Sequence, residues 1–347
     1  VNQMLGVLSD EKHLDIKINL KESTDEEIEQ QVRIICEKVI NEKITETTVL
    51  VGGVTNALYK CDFEKRKSVL VRINGEGTEK IIDRKKEIAK MRQVTLKLNT
   101  GIIRGAFENG LVYDYIAGVP LGADKVPQHI DGIAQAMATF HKMDIQTESK
   151  EPMLFSTMDA WLNEIKDIEF EDDVRKRLLK TIDVQGVIKP LIAELRKRMM
   201  TKEFKVTFCH NDLLGANIIY NEDNNTYNFI DHEYGDYNYV AFDIGDHFVE
   251  WCGMEDFVPA NYPSAQHQRA FVKSYLTAYD GQEPSSDAID LLVAQSNVGS
   301  VAANVFWCVW AIFQSANSKI KFNYMEYAKS RADMCVYAKQ HLEALDK

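Results

Sequence analysis

The chain has 347 residues, of which 45% are hydrophobic, enough for a sizeable core in one large or two modest domains. Its formal net charge of −12 argues against nucleic acid or an anionic membrane surface as the main partner. That charge suits a small cationic substrate, or solubility alone, and six scattered cysteines without a Cys-x-x-Cys pair favour reduced thiols in a cytoplasmic protein.

The first third of the sequence predicts a helix followed by a small antiparallel sheet. Residues 1–20 show no clear pattern, and we expect no signal peptide because no charged segment precedes an apolar run. Ser23 or Thr24 can cap a helix, whose apolar residues from Ile28 to Ile40 recur at helical spacing. The predicted strands are Thr48–Val51, Ala57–Phe63, Ser68–Ile73, Ile102–Phe107 and Leu111–Ile116, with a helix over Glu79–Leu98.

Several residues of this region are candidates for nucleotide binding. The Gly-Gly turn at residues 52–56 could cover phosphates, although such a turn is more often only a turn. Arg72 occupies the strand that carries the phosphate-binding cation in kinase-like lobes, and it could pair with Glu87; the alternative is an edge-strand charge. The backbone near residues 114–116 could read the adenine edge. The candidates are Gly53, Thr55, Asn56, Arg72, Glu87, Tyr115 and Ile116.

Beyond about residue 118 the pattern becomes mainly helical. We therefore predict two domains: 1–117, a nucleotide-binding lobe with a leading helix, and 118–347, a catalytic and substrate-binding lobe. The longest apolar stretch, Val301–Phe313, is shorter than a membrane span, so we expect a soluble protein. The predicted helices are Ile130–His141, Asp159–Glu169, Asp172–Met200 as one or two, one within 237–251, Gln266–Tyr279, Asp287–Gln314 and Asn323–Leu345.

Strands interrupt these helices at residues 206–230, where the pattern is strand, polar loop, strand, turn, strand. Phosphoryl transfer needs a carboxylate beside the hydroxyl nucleophile, and an amide and a second carboxylate to hold magnesium. Asp212, Asn217 and Asp231 have the order and spacing that protein kinases use for these groups. The alternative, a surface hairpin rich in Asp and Asn, fits less well because strands flank both sides.

Two motifs in this region extend the comparison to a particular family. Cys209-His-Asn-Asp-Leu-Leu-Gly-Ala-Asn217 and the longer run from Ile230 to Trp251 resemble the choline/ethanolamine kinase family, and the resemblance continues more weakly over residues 48–335. It implies an α+β, two-lobed, protein-kinase-like fold that uses ATP and Mg²⁺ to phosphorylate an amino alcohol. If the amino alcohol is ethanolamine, its phosphorylation is the first step of the CDP-ethanolamine route to phosphatidylethanolamine.

The resemblance also implies roles for individual residues. Asp212 would be the base, Asn217 and Asp231 the magnesium ligands, and Asp243 would order the loop beneath the site. Two positions depart from the family pattern. His232 stands where an aromatic residue usually follows the metal-binding Asp, and could add a pH dependence to the metal site. Asp246 stands where Asn is usual.

The amine end of the substrate requires carboxylates, aromatic faces, or both. Besides Asp212, the candidates are Glu250, Trp307, Trp310 and Tyr327, at positions where the family builds its cation site. A primary ammonium offers three N–H donors, whereas trimethylammonium offers none. The acidic loop 252–257 therefore favours ethanolamine, with choline, or both substrates, as the alternative.

Other classes of protein fit the sequence less well. A protein kinase would need a Gly-x-Gly-x-x-Gly loop and an activation segment, and neither motif occurs in the sequence. An inactive scaffold would have lost one of the three catalytic residues. An aminoglycoside-type phosphotransferase would lack the run at 232–251. By analogy with the family, we also expect a homodimer.

Overall fold

The computed structural model describes residues 12–20, 22–50, 56–74, 84–254, 257–318 and 322–344, with the backbone alone at 56, 84 and 336–344. The chain divides into two compact units, residues 1–117 and 118–347. The first unit is built around a β-sheet and the second is mainly helical. The α+β organisation expected from the sequence is therefore confirmed.

In the described part of the N-terminal unit, six strands form one sheet in the spatial order β1-β5-β6-β4-β3-β2. They are β1 (Lys12–Leu14), β2 (Ile44–Leu50), β3 (Asn56–Phe63), β4 (Val69–Asn74), β5 (Ile103–Phe107) and β6 (Gly110–Asp114). Neighbours pair antiparallel except β1, which runs parallel to β5. The five predicted strands correspond to β2–β6, whereas β1 is too short to show an alternating pattern.

The described residues of this unit also form two helices, α1 (Asp25–Ile40) and α2 (Arg84–Leu98). Thr24 begins α1 with a reciprocal capping box, in which the Glu27 N–H donates to Thr24 Oγ1 and the Thr24 N–H donates to Glu27 Oε2. Val32 and Ile35 are fully buried in one cluster with residues of the sheet. Burying such a side chain contributes roughly 1.5–3 kcal/mol, so the apolar face stabilises α1 on the sheet.

The described part of the C-terminal unit contains eight helices and five short strands. The helices are α3 (Ile130–His141), α4 (Met153–Glu164), α5 (Asp173–Ile182), α6 (Lys189–Met199), α7 (Val240–Glu250), α8 (Ala265–Asp280), α9 (Ser286–Asn317) and α10 (Tyr324–Ala344). The strands are β7 (Val119–Pro120), β8 (Val206–Cys209), β9 (Ile218–Asn221), β10 (Thr226–Phe229) and β11 (Asp236–Tyr239). They form two small sheets, β10-β9-β7 and β11-β8.

The sequence pattern anticipates most of these helices but not all of their ends. The segment predicted as one or two helices over 172–200 is two, because the left-handed backbone of Asp183 interrupts it. Helix α4 begins at Met153, directly after Pro152, six residues before its predicted start at Asp159. Proline is tolerated at a helix start, so here it marks the boundary.

Helix α9 passes through the core of the C-terminal unit and packs closely on α7. A Cβ atom at Gly299 would lie 1.8 Å from the Ala241 carbonyl oxygen, and one at Gly245 would lie 2.3 Å from the Ser300 nitrogen. The two backbones therefore touch through glycines. Among described helices, only α9 is long and apolar enough to cross a membrane, but 89% of its most apolar window is buried, as in a core helix.

Candidate active site

The loop between β8 and β9 brings the first two predicted catalytic residues together. It follows a left-handed residue, Asn211 (φ 67°), and ends in a short 3-10 turn over 215–217. This path returns Asn217 to Asp212: its Nδ2 donates to the Asp212 carbonyl oxygen at 2.9 Å and lies 3.4 Å from Asp212 Oδ2. Because the amide nitrogen faces Asp212, Oδ1 of Asn217 remains as the atom that could coordinate a cation.

Asp243, from α7, holds the start of this loop. Its carboxylate is fully buried and accepts hydrogen bonds from the backbone N–H of His210 at 2.9 Å and of Asn211 at 2.6 Å. His141 Nε2 donates to it at 2.8 Å, and the other ring nitrogen of His141 hydrogen-bonds with the Tyr275 hydroxyl at 2.8 Å. Burial alone would raise the pKa of Asp243, but the hydrogen bond and charge of His141 outweigh it and lower that pKa. The contact expected between Asp243 and the loop is present.

The third predicted residue, Asp231, follows β10 and lies beside the loop because of strand pairing. Phe229 pairs with Ile218, and the next N–H, of Ile230, donates to the Asn217 carbonyl oxygen at 3.0 Å. Asp231 itself is exposed and adopts a left-handed backbone (φ 61°, ψ 62°). Such a conformation costs on the order of 1 kcal/mol in a non-glycine residue. Asp212, Asn217 and Asp231 are thus gathered by a single hairpin.

The surroundings of Asp212 are strongly acidic. Burial, followed by the negative charges of Asp246, Glu250, Asp231 and Glu233, raises the pKa of Asp212 well above its ordinary value. Like charges held this close repel one another, and a bound cation relieves the repulsion. The site is therefore suited to a metal ion, a cationic substrate, or both. Oxygen atoms of carboxylates and amides are the ligands that Mg²⁺ prefers.

An aromatic cluster lies within the same unit. Trp307 and Trp310, both on α9, have ring centroids 5.3 Å apart. The ring of Tyr234 packs on that of Trp307, with centroids 5.2 Å apart, and the ring of Tyr327 packs on that of Trp310, with centroids 6.2 Å apart. The Trp310 indole N–H donates to the Tyr234 hydroxyl at 2.9 Å. Asp212 lies close enough to raise the pKa of both tyrosines, although burial is the larger cause. The three predicted aromatic residues are thus brought together near Asp212.

Glu250, the predicted counter-ion of the amine, already has a cationic partner. Its Oε1 lies 2.7 Å from Arg331 Nη2, and both side chains are buried. The guanidinium of Arg331 lies over the rings of Phe257 and Tyr327, with its carbon 4.8 Å from each centroid. Burial raises the pKa of Glu250, and Arg331 opposes that rise. A substrate ammonium would therefore meet a carboxylate that is shared with Arg331.

Sequence reasoning does not single out Tyr234 or Arg331. Tyr234 falls three residues after Asp231, within the very motif that carries the resemblance, so its position was a usable signal. Arg331 lies one helical turn after Tyr327, but nothing local indicates that it reaches a residue 81 positions earlier. His232 is buried and its ring stacks on Phe140 at 5.6 Å; its influence on a metal site remains a prediction.

The N-terminal unit contains the expected ion pair. Arg72 Nη2 lies 2.7 Å from Glu87 Oε1, and both side chains are buried. The backbone N–H of Tyr115 donates to the carbonyl oxygen of Ser68, so this N–H already has a hydrogen-bond partner within the N-terminal unit. Ile116, the other residue predicted to lie beside the adenine, is the next residue of the chain. Gly53 and Thr55 lie outside the described residues, and Asn56 is described by its backbone alone. Their phosphate-binding roles remain predictions.

Comparison with known proteins adds independent evidence. The sequence profile described as choline/ethanolamine kinase matches residues 47–336. Ethanolamine kinase 2 of Rattus norvegicus is 34% identical over 298 residues, which cover 85% of this chain and 76% of the relative.

Several solved structures share the fold. An ethanolamine kinase of Plasmodium vivax has a TM-score of 0.78 at 22% identity, covering 90% of this chain and 89% of that one. A choline kinase of Cryptosporidium parvum has a TM-score of 0.72 at 23% identity, covering 92% and 97%. These structures support the two-lobed kinase-like fold, and the sequence matches go further. The chain belongs to the choline/ethanolamine kinase family.

Proposed function

We propose that this protein transfers the γ-phosphoryl group of ATP to the hydroxyl of ethanolamine, yielding phosphoethanolamine. The observation that carries the proposal is the convergence of Asp212, Asn217 and Asp231 within an acidic site whose neighbours are the rings of Trp307 and Trp310. Such a site offers a base, oxygen ligands for a divalent cation and a surface for an ammonium group. The curated relative from rat is named an ethanolamine kinase.

In this mechanism, Asp212 orients the substrate hydroxyl and accepts its proton as the oxygen attacks the γ-phosphorus of ATP, whose bond to the bridging oxygen breaks to release ADP. Burial and crowding by other carboxylates raise the pKa of the Asp212 carboxyl group. A positive charge bound beside this carboxylate would favour its ionised form, which is the form that accepts a proton. Asn217 Oδ1 and the Asp231 carboxylate are the atoms that would hold Mg²⁺, which neutralises phosphate charge during transfer. Arg72, oriented by Glu87, would bind the nucleotide phosphates.

The amine end is held by charge and by aromatic contact. An ammonium over an aromatic face gains roughly 0.5–2 kcal/mol, and a charge-assisted hydrogen bond to a carboxylate gains about 1.5–3 kcal/mol. Ethanolamine can use both contacts through its N–H groups, with Glu250 as the carboxylate. Choline, which has no N–H donor, can use mainly Trp310 and the neighbouring rings, and this aromatic surface is the observation that favours choline as the second candidate substrate.

The test is a coupled ADP-release assay on the purified protein with ethanolamine, choline and kanamycin at matched concentrations. We expect the highest kcat/KM for ethanolamine, a lower value for choline and no turnover of kanamycin. A higher value for choline would replace the first substrate by the second, and turnover of kanamycin alone would refute the proposal. Cytoplasmic location and a homodimer belong to the same proposal, and gel filtration tests the latter.

A further inference from the structure

Arg104, on β5, forms an ion pair with the last residue of β6. The pairing of β5 with β6 shifts its register between Ile103 and Gly105, so Arg104 is the additional residue of a β-bulge. Its guanidinium binds the Asp114 carboxylate through two nitrogens: Nε lies 2.8 Å from Oδ1, and Nη2 lies 2.6 Å from Oδ2. A bulge commonly redirects a side chain beside a functional site, and this one directs Arg104 to the end of β6.

A second arginine contacts the same carboxylate. Arg66, in the turn that precedes β4, has its Nη2 3.4 Å from Asp114 Oδ1. Because β4 and β5 are the two neighbours of β6 in the sheet, Asp114 is held by cations from both sides. The bidentate pair with Arg104 has the shorter distances, and such a pair fixes geometry as well as adding energy. The end of β6 is therefore held in one position.

The backbone at the end of β6 presents hydrogen-bonding groups to alternate sides. The N–H of Asp114 donates to the Ile102 carbonyl oxygen at 3.0 Å, towards β5, and the N–H of Tyr115 donates to the Ser68 carbonyl oxygen at 3.0 Å, towards β4. By this alternation, the carbonyl oxygen of Asp114 and the N–H of Ile116 both face away from β4. Within the residues that the structure describes, the Ile116 N–H donates to no group.

We propose that Arg104 is a positioning residue for the nucleotide, which acts through Asp114 to hold the Asp114 carbonyl oxygen and the Ile116 N–H where they pair with adenine. The inference rests on the use of ATP in the proposed function. Adenine has an amino group that donates and a ring nitrogen, N1, that accepts, so the two backbone groups complement it. Guanine has an acceptor, O6, and an N1–H donor at the same positions, so it would place like groups opposite each other. A firmly held backbone therefore rejects guanine, because its own polar groups would be left unpaired.

Arg104→Met removes the guanidinium, Asp114→Asn removes the charge of its partner, and the double variant measures their coupling. The matched control is Arg33→Met, because Arg33 on α1 is exposed to a similar degree and pairs with Glu29 at 3.3 Å. Values of kcat and KM are measured with ATP and with GTP at saturating ethanolamine, together with the KM for ethanolamine and the unfolding midpoint. Isothermal titration calorimetry with ADP and with GDP, without ethanolamine, measures nucleotide binding in the absence of turnover.

We expect Arg104→Met to raise the KM for ATP and the Kd for ADP by about three- to fivefold, the effect of one partly exposed ion pair. The kcat at saturating ATP and the KM for ethanolamine should stay unchanged. The preference for ATP over GTP should fall by about threefold, because a less firmly held backbone adapts to guanine. Arg104→Met should have a smaller effect in the Asp114→Asn background than in the wild-type chain. Arg33→Met should alter neither the nucleotide affinities nor their ratio.

The inference is overturned if Arg104→Met lowers only the unfolding midpoint, if it weakens adenine and guanine nucleotides equally, or if the two substitutions act additively. Arg104 is 42% exposed, so Arg104→Met keeps the inference testable if Asp114→Asn fails to fold. A wild-type chain that binds ADP more tightly than GDP but phosphorylates no ethanolamine would refute the proposed function, and the calorimetric comparison would then decide the inference. Turnover of ethanolamine by the wild-type chain, with a wild-type KM for ATP in Arg104→Met, would refute the inference alone.

Discussion

Replacement of Asp243 by asparagine should remove the support of the loop between β8 and β9. Oδ2 of Asp243 accepts from two donors, the His210 N–H and His141 Nε2, and Oδ1 accepts from the Asn211 N–H at 2.6 Å. In Asp243→Asn, the remaining oxygen is best placed at the site of Oδ2, so the new NH2 group faces the Asn211 N–H. One bond is lost and the other two lose their charged acceptor.

The cost follows from these bonds. A hydrogen bond to a charged group contributes about 1.5–3 kcal/mol, and a buried donor left without an acceptor adds about 1–3 kcal/mol. Asn211 also keeps its left-handed backbone only because its surroundings hold it. We therefore expect Asp243→Asn to lower the free energy of unfolding of the C-terminal unit by about 3–5 kcal/mol, and to lower kcat as the loop loses its geometry.

Equilibrium urea unfolding followed by tryptophan fluorescence measures this loss directly. All four tryptophans of the chain lie within residues 161–310, so the signal reports on the C-terminal unit. The matched control is Asp290→Asn, at an exposed aspartate of α9 that pairs with Arg269. An exposed pair contributes at most about 1 kcal/mol. If Asp243→Asn is no more destabilising than Asp290→Asn, the loop does not depend on this carboxylate.

Three further predictions concern the metal, pH and the amine. Asp231→Ala should raise the magnesium concentration needed for half-maximal rate more than Asn217→Ala does, since it removes a full charge; equal dependence in both variants would contradict this order. Burial lowers the pKa of His247 to about 4, below its unfolded value of 6.5, so its stabilising contribution is complete above pH 6.5 and is lost as the pH falls to 4. The loss is about 3 kcal/mol, and in His247→Asn the free energy of unfolding should fall less over that range; parallel pH curves for variant and wild type would refute it. Trp310→Ala should reduce kcat/KM for choline by a larger factor than for ethanolamine, and an equal or reversed effect would show that the ring does not hold the trimethylammonium.

Local patterns in the sequence predict most of the helices and strands, and they predict that three candidate site residues lie together. The capping box at Thr24 and the apolar spacing after it predict α1, and the spacing of Asp212, Asn217 and Asp231 predicts a group that the β9-β10 hairpin assembles. These signals succeed because helix caps, strand alternation and turns depend on residues close together in the chain.

Partnerships between distant residues could not be predicted in the same way. The pair Glu250–Arg331 joins residues 81 positions apart, and Asp246 reaches Trp307 across 61 positions. Each contact depends on how α7, α9 and α10 pack, which no short motif encodes. The resemblance to the family marks Asp246 as unusual. However, the two groups that donate hydrogen bonds to it, the Leu213 N–H and the Trp307 indole N–H, are apparent only in the folded unit.

The most direct test of the account is the formation of phosphoethanolamine from ATP and ethanolamine, observed by phosphorus NMR for the wild-type protein and for Asp212→Asn. The wild-type protein should convert ethanolamine, and Asp212→Asn should do so at least about 10²-fold more slowly, as expected when a positioned base is lost. Urea unfolding curves of the two proteins should remain close. No product from the wild-type protein, or wild-type turnover by a folded Asp212→Asn variant, would contradict the account.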